Sequence, residues 1–168
     1  EYIEVRDRIE KLVGHINGEF GTVGAVPVHY LRRSLPIEEL VAYYLAADVM
    51  LVTPFRDGMN LVAKEYVASR KTETGVLVLS EFTGSAVELD RAVLGNPHDI
   101  DGMAATIENA IAMPRQEQTR RMRSLRQRVR KRTVYTWASD FTHALDAEQP
   151  RPSSATMQLP IGTNPPTS

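Results

Sequence analysis

Two unbroken apolar runs, Val49 to Thr53 and Val76 to Leu79, constrain this chain more than any other feature. Short continuous runs of this kind, bounded by turn residues, mark strands covered on both faces. Helix-patterned stretches flank them. Ile3, Ile9, Leu12, Val13 and Ile16 give residues 1–17 an apolar stripe, and Gly18 and Gly21 are placed to stop that helix. Val26 to Leu31 has an extended, β-branched look. Pro36 opens a helix over 37–47, where Ile37, Leu40, Val41, Tyr44 and Leu45 recur at helical spacing. After a turn at Pro54 to Gly58, a third helix spans about residues 59–70. Thr83 to Leu89 reads as a turn and short helix, Val93–Leu94 as a brief strand, and residues 99–113 as another helix behind the Asn96–Pro97 turn. Strands that alternate with helices predict an α/β fold, a Rossmann-like parallel sheet with flanking helices. Such sheets bind ligands at the carboxyl ends of their strands, often on the N-terminus of the following helix.

Residues 115–146 read as one or two long helices, the first strongly basic. Residues 147–168 carry five prolines with several Ser and Thr and little apolar content, so they read as a disordered tail behind a domain of residues 1–146.

Composition narrows the function classes. A formal net charge of -1 gives the whole molecule no bulk drive toward nucleic acid or an anionic membrane. The absence of cysteine removes disulfides, thiolate chemistry and cysteine-ligated zinc, and fits a reducing, cytoplasmic compartment. No apolar run approaches the roughly 18–20 residues that span a bilayer. The chain opens inside a helix without a starting Met, so it reads as part of something longer. His15, His29, His98 and His143 are scattered without acidic partners at ligand spacing, so no metal site is expected. His29 reads as half-buried beside an extended segment. Ser80 and Ser85 lack a nucleophile-elbow pattern.

The most informative segment is Thr53-Pro54-Phe55-Arg56-Asp57-Gly58-Met59-Asn60-Leu61-Val62-Ala63-Lys64-Glu65-Tyr66. A buried strand ends, a turn follows, and a helix begins near Gly58 or Met59. Its first turn offers backbone N–H groups and the positive end of the helix dipole, a natural seat for a diphosphate. Gly58 permits close approach of backbone and ligand. Glu65, about two turns further on, is either a solvated helix residue or a carboxylate suited to gripping the two hydroxyls of a ribose. Asp57 is either the cap of the helix or an acceptor for a sugar hydroxyl, and Asn60 a local turn-stabilising group or part of the pocket.

This segment resembles the donor-site signature of the trehalose-6-phosphate synthase family, glycosyltransferases of the two-domain GT-B fold. Ile16-Asn17-Gly18-Glu19-Phe20-Gly21, Pro27 to Leu31, Asp48 to Pro54 and Gly75 to Phe82 resemble the same family in the same order. The resemblance covers residues 1–146 and implies a partial C-terminal GT-B domain, incomplete at its N-terminal side. It implies glucosyl transfer, with retention, from UDP-glucose, ADP-glucose or GDP-glucose to glucose 6-phosphate, giving α,α-trehalose 6-phosphate, with no cofactor. Asp57 would bond hydroxyls of the donor glucose, and the backbone of Gly58, Met59 and Asn60 would line the glucose and phosphate pocket. The N–H groups of Leu61 and Val62 would meet the diphosphate, Glu65 would hold the ribose, and Leu35 and Leu40 would lie against the base. The family's usual mechanism needs no protein nucleophile, and its phosphate-clamping Arg and Lys, acceptor contacts and catalytic His all come from earlier in the chain. No catalytic residue is therefore assigned here, and this chain alone is expected to have no useful turnover. The implied partners are the sugar donor, the sugar phosphate acceptor, the N-terminal GT-B domain and, in the full enzyme, further copies of the chain.

Nine basic residues between Arg115 and Arg132 face one acid, Glu117, which invites a nucleic-acid reading. Met122, Leu125, Val129 and Thr133 run through them at helical spacing, so a docked amphipathic helix is the favoured expectation. The alternatives to the transferase are a GT-B enzyme with another acceptor, or a non-catalytic regulatory or nucleic-acid-binding module.

Overall fold

The computed structural model describes residues 2–148, which form two compact units that meet in the chain between Tyr43 and Tyr44. The expected tail lies, from residue 149 onward, outside the described residues.

The first unit holds helix α1 (Tyr2–Phe20) and the start of helix α2 (Ile37–Ala46). Helix α1 runs through Gly18 and ends three residues later than its sequence suggests. The stop is Gly21, whose N–H bonds the Asn17 carbonyl at 3.0 Å. A Cβ at Gly21 would lie only 2.3 Å from that oxygen, so the close approach requires glycine. Val26 to Leu31 forms no strand; its backbone is irregular, with a bend at Pro27. The Asn17 side chain takes the place of a partner strand: its Nδ2 donates to the Val28 carbonyl and its Oδ1 accepts the Val28 N–H, both at 2.9 Å. His29 is exposed rather than half-buried.

The second unit carries the sheet. Strands β1 (Val49–Val52), β2 (Val76–Ser80) and β3 (Val93–Gly95) pair in parallel in the order β1-β2-β3. Helix α3 (Leu61–Ser69) follows β1, the short helix α4 (Ser85–Glu88) follows β2, and α5 (Ile100–Ile111) follows β3. Every residue of β2 is buried, as its unbroken apolar run requires. On one face Val76 and Val78 pack with Ala110, Met103 and Met113. Leu77 and Leu79 alternate to the other face, where α3 and α6 (Arg115–Lys131) cover β2. Strand β1 departs from expectation: it is one of the two sheet edges among the described residues, and Leu51 is 45% exposed rather than covered.

Two buried arginines hold helix ends without a carboxylate. Arg70 donates to the carbonyls of Tyr44 and Leu45 at the end of α2, and to Thr74. Arg126 of α6 donates to the carbonyls of Val67 and Ala68 at the end of α3. Each places a cation on the negative end of a helix dipole and satisfies carbonyls that lack an intrahelical partner. The long helical stretch is two helices, α6 and α7 (Val134–Glu148). Met122 and Leu125 are fully buried, which fits the docked-helix expectation.

Candidate functional site

The turn of residues 53–60 leaves the carboxyl end of β1 and delivers the chain to α3. Helix α3 starts at Leu61, later than its sequence suggests, with Asn60 as its cap. Asn60 Oδ1 accepts the Ala63 N–H at 3.0 Å, and its Nδ2 donates to Asp57 Oδ2 at 2.6 Å. Asn60 sits at φ +25, a backbone state that Asn tolerates better than most residues. Asp57 is therefore not the cap; its carboxylate is exposed and its backbone is tied elsewhere. The Asp57 N–H donates to the Phe82 carbonyl, and the Gly84 N–H donates to the Asp57 carbonyl at 3.2 Å. This isolated parallel bridge clamps the β1–α3 turn onto the β2–α4 turn. Gly84 permits the approach, since a Cβ there would lie 2.8 Å from the Gly58 carbonyl oxygen.

With the cap at Asn60, the amides of Leu61 and Val62 are the first two of the helix, where no intrahelical acceptor exists. Both residues are exposed, and a Cβ on Gly58 would meet nothing within 4 Å. The corner is open rather than plugged by side chains. Glu65 falls one turn, not two, inside the helix. It shares a face with Leu61 and Val62 at i+4 and i+3, about 6 Å further along the axis. Glu65 is exposed, and its Oε2 accepts the Tyr44 hydroxyl at 3.0 Å. Burial first, and that bond to Glu65 second, push the Tyr44 phenol up to about 12, so it stays a neutral donor that fixes the carboxylate. Leu35 and Leu40 are half-buried and belong to the first unit.

The other side of the turn faces a cleft of about 430 Å³ lined by Gly58, Met59, Gly84, Ser85, Val87, Glu88, Arg132 and Trp137. Glu88, to which the sequence reading attached no role, pairs with Lys64 of α3 at 2.7 Å, both side chains largely covered. Its Oε1 is buried and finds no partner among the described residues. Sequence reasoning also missed a cluster of rings at this end of the sheet. His98, in the turn after β3, stacks on Phe55 at 4.7 Å between ring centres and meets Phe82 edge-on at 5.4 Å. Aromatic residues spaced at successive strand ends were its only sequence signal.

Most of the basic run is absorbed within its own unit. Arg120 and Arg121 pair with Glu117, Arg123 with Glu73 and Arg128 with Asp90, while Arg126 is spent on carbonyls. Among the described residues no group of three His, Asp or Glu side chains is placed to hold a metal, and no helix is long and apolar enough to cross a membrane.

The chain is similar to known proteins over the whole of this architecture. The family model of glycosyltransferase family 20 matches residues 1–147. A trehalose-6-phosphate synthase of Mycolicibacterium gilvum (strain PYR-GCK) is 56% identical over 149 residues, 89% of this chain and 30% of that protein. A trehalose-6-phosphate synthase of Mycobacterium leprae (strain TN) is 58% identical over 149 residues, with the same coverage. This chain thus spans about 30% of the length of these curated relatives. Among solved structures, an α,α-trehalose-phosphate synthase (UDP-forming) of Burkholderia xenovorans in complex with glucose-6-phosphate superposes with a TM-score of 0.80 at 42% identity, over 86% of this chain and 32% of that one. An E. coli relative bound with UDP-2-fluoro glucose also superposes at 0.80, with 40% identity, over 89% of this chain and 34% of that one. The match of sequence, of strand–turn–helix order and of three-dimensional form leads to one conclusion: this chain belongs to glycosyltransferase family 20.

Proposed function

We propose that this chain supplies part of the donor site of a retaining glucosyltransferase that joins glucose from a nucleotide-glucose to glucose 6-phosphate, giving α,α-trehalose 6-phosphate. The observation that carries the proposal is the open start of α3, where the exposed Leu61 and Val62 share a face with the Glu65 carboxylate. Two amides at a helix N-terminus suit a diphosphate, and an acceptor-only carboxylate one turn further suits vicinal ribose hydroxyls. Tyr44 occupies one oxygen of Glu65 and leaves the other to a ligand. On the turn, Asp57 bonds hydroxyls of the glucose, and the backbone of Gly58, Met59 and Asn60 walls the pocket. Leu35 and Leu40 contribute apolar contact to the base.

In the transfer itself the bond from the glucose anomeric carbon to phosphate breaks, and a bond to the acceptor hydroxyl forms on the same face. The acceptor proton passes to the departing phosphate oxygen. Residues of this chain orient the donor and favour the charge that grows on that phosphate. No residue of this chain is assigned a covalent or proton-transfer role. The similarity of this chain to relatives solved with glucose-6-phosphate and with UDP-2-fluoro glucose supports these two substrate classes.

The larger assembly belongs to the same reading. Helix α7 exposes Val134, Tyr135, Trp137, Phe141 and Leu145, an apolar surface suited to covering by the N-terminal GT-B domain. The full enzyme works in the cytoplasm as a homo-oligomer, without a metal or organic cofactor. Titrating the chain with UDP, ADP and a DNA duplex tests the proposal. Nucleotide binding that Glu65→Ala abolishes is the expected result. Binding to the duplex alone, falling steeply with salt, refutes it.

A further inference from the structure

One imidazole, from the turn after β3, touches a ring from each of the other two turns at the carboxyl edge of the sheet. The turn after β3 is the rigid member. The Asn96 side chain accepts the His98 N–H at 2.9 Å, Pro97 fixes one dihedral, and Asp99 caps α5 by accepting the Gly102 N–H at 3.0 Å. His98 therefore stands on a short, braced segment. The turn after β1 is the loosely built member. From Phe55 to Met59 it is exposed and non-helical, with Asp57 in an isolated bridge. Among the described residues, the Asp57 bridge and the Asn60 to Asp57 bond hold it from below. Phe55 is 66% exposed and Phe82 43% exposed, so neither ring is fixed by core packing. Both instead bear on His98, one face-to-face and one edge-on.

We infer that His98 is a positioning residue: through Phe55 and Phe82 it holds the turn that presents Asp57 and the Gly58–Asn60 backbone to the sugar of the donor. The inference deepens the donor-site reading and rests on it for the identity of the ligand, but not for the order of the turn. A stacked ring pair and an edge-on pair each add a modest attraction beyond simple burial. Their loss is enough to let five exposed residues sample other conformations, and it leaves the core of the sheet intact. Binding of the nucleotide part at α3 then survives, and binding of the glucose part suffers.

The test uses the 168-residue chain, isotopically labelled, with His98→Ala and the ring-retaining His98→Phe. Two readouts are independent of each other: hydrogen exchange at the bridging amides of Asp57 and Gly84, and affinities for UDP and for UDP-glucose. His98→Ala speeds exchange at these amides about tenfold, weakens UDP-glucose about fivefold and changes UDP less than twofold, a scale set by two lost ring contacts. His98→Phe restores exchange and affinity to within about twofold. Unchanged exchange in His98→Ala overturns the inference, and so does an equal loss of UDP and UDP-glucose, which marks general destabilisation. If neither ligand shifts any amide of the unaltered chain, the donor-site reading fails. Faster exchange in His98→Ala still upholds the bracing role, and unchanged exchange removes it.

Discussion

Replacing Asn60 separates the two jobs that one side chain performs at the start of α3. Its Oδ1 caps the Ala63 N–H, and its φ of +25 places it in a region that most side chains avoid. Asn60→Ala loses the cap, at about 1 kcal/mol, and puts a non-polar Cβ residue at positive φ, for about 1 kcal/mol more. Asn60→Gly also loses the cap but meets no Cβ penalty, so the net cost is a few tenths of a kcal/mol. Glycine is thus the better substitute by roughly 1.5 kcal/mol. With a urea dependence near 2 kcal/mol per molar, this separates the two unfolding midpoints by about 0.7 M. Helix propensity predicts the reverse order, because alanine exceeds glycine by about 1 kcal/mol inside a helix. Urea unfolding of the wild-type, Gly and Ala chains, followed by circular dichroism, therefore distinguishes the cap from a first helical residue. An alanine chain as stable as the glycine chain refutes the assignment of both the cap and the strained dihedral.

Other consequences are open to direct measurement. Arg126→Met strips two carbonyls of a buried, charged donor and costs about 2–4 kcal/mol, while Arg126→Lys recovers part of that; thermal unfolding checks the order of the three midpoints. The Tyr44 phenol, raised from 10.0 to about 12, binds its proton more tightly in the folded chain than in the unfolded one. The stability this adds is complete below pH 10 and lost between pH 10 and about 12, and Tyr44→Phe removes that part of the alkaline slope in denaturation curves. Glu65→Ala takes the acceptor from the buried Tyr44 hydroxyl, which costs about 1–3 kcal/mol by thermal unfolding, and abolishes nucleotide binding by calorimetry at a temperature where the variant is folded.

The parallel sheet was legible because its signal is local. Val76 to Leu79 is a short unbroken apolar run between helix-patterned stretches, and little except a central strand satisfies that pattern. Val26 to Leu31 carried a similar β-branched signal and yet forms no strand. Pro27 lacks an N–H, and the hydrogen bonds of Val28 are taken by Asn17, eleven residues away, a partner that no local pattern announces. The start of α3 was blurred for a different reason. Asp57 and Asn60 are both good capping residues, and the choice was made by the distant Phe82 and Gly84, which tie down the Asp57 backbone. The open corner at Leu61 and Val62 could be anticipated from strand–turn–helix order alone. The tyrosine behind Glu65 and the histidine behind Phe55 could not, since they come from residues 21 and 43 positions away in the sequence.

The outer rim of β1 has a bearing on how the chain behaves in a test tube. A short aliphatic ribbon with Leu51 on show and its outward peptide groups unclaimed within the described residues invites another chain to lie alongside it. Concentrated samples will therefore tend to grow by strand addition. A charged side chain in place of Leu51 would keep them dispersed and leave the nucleotide corner untouched.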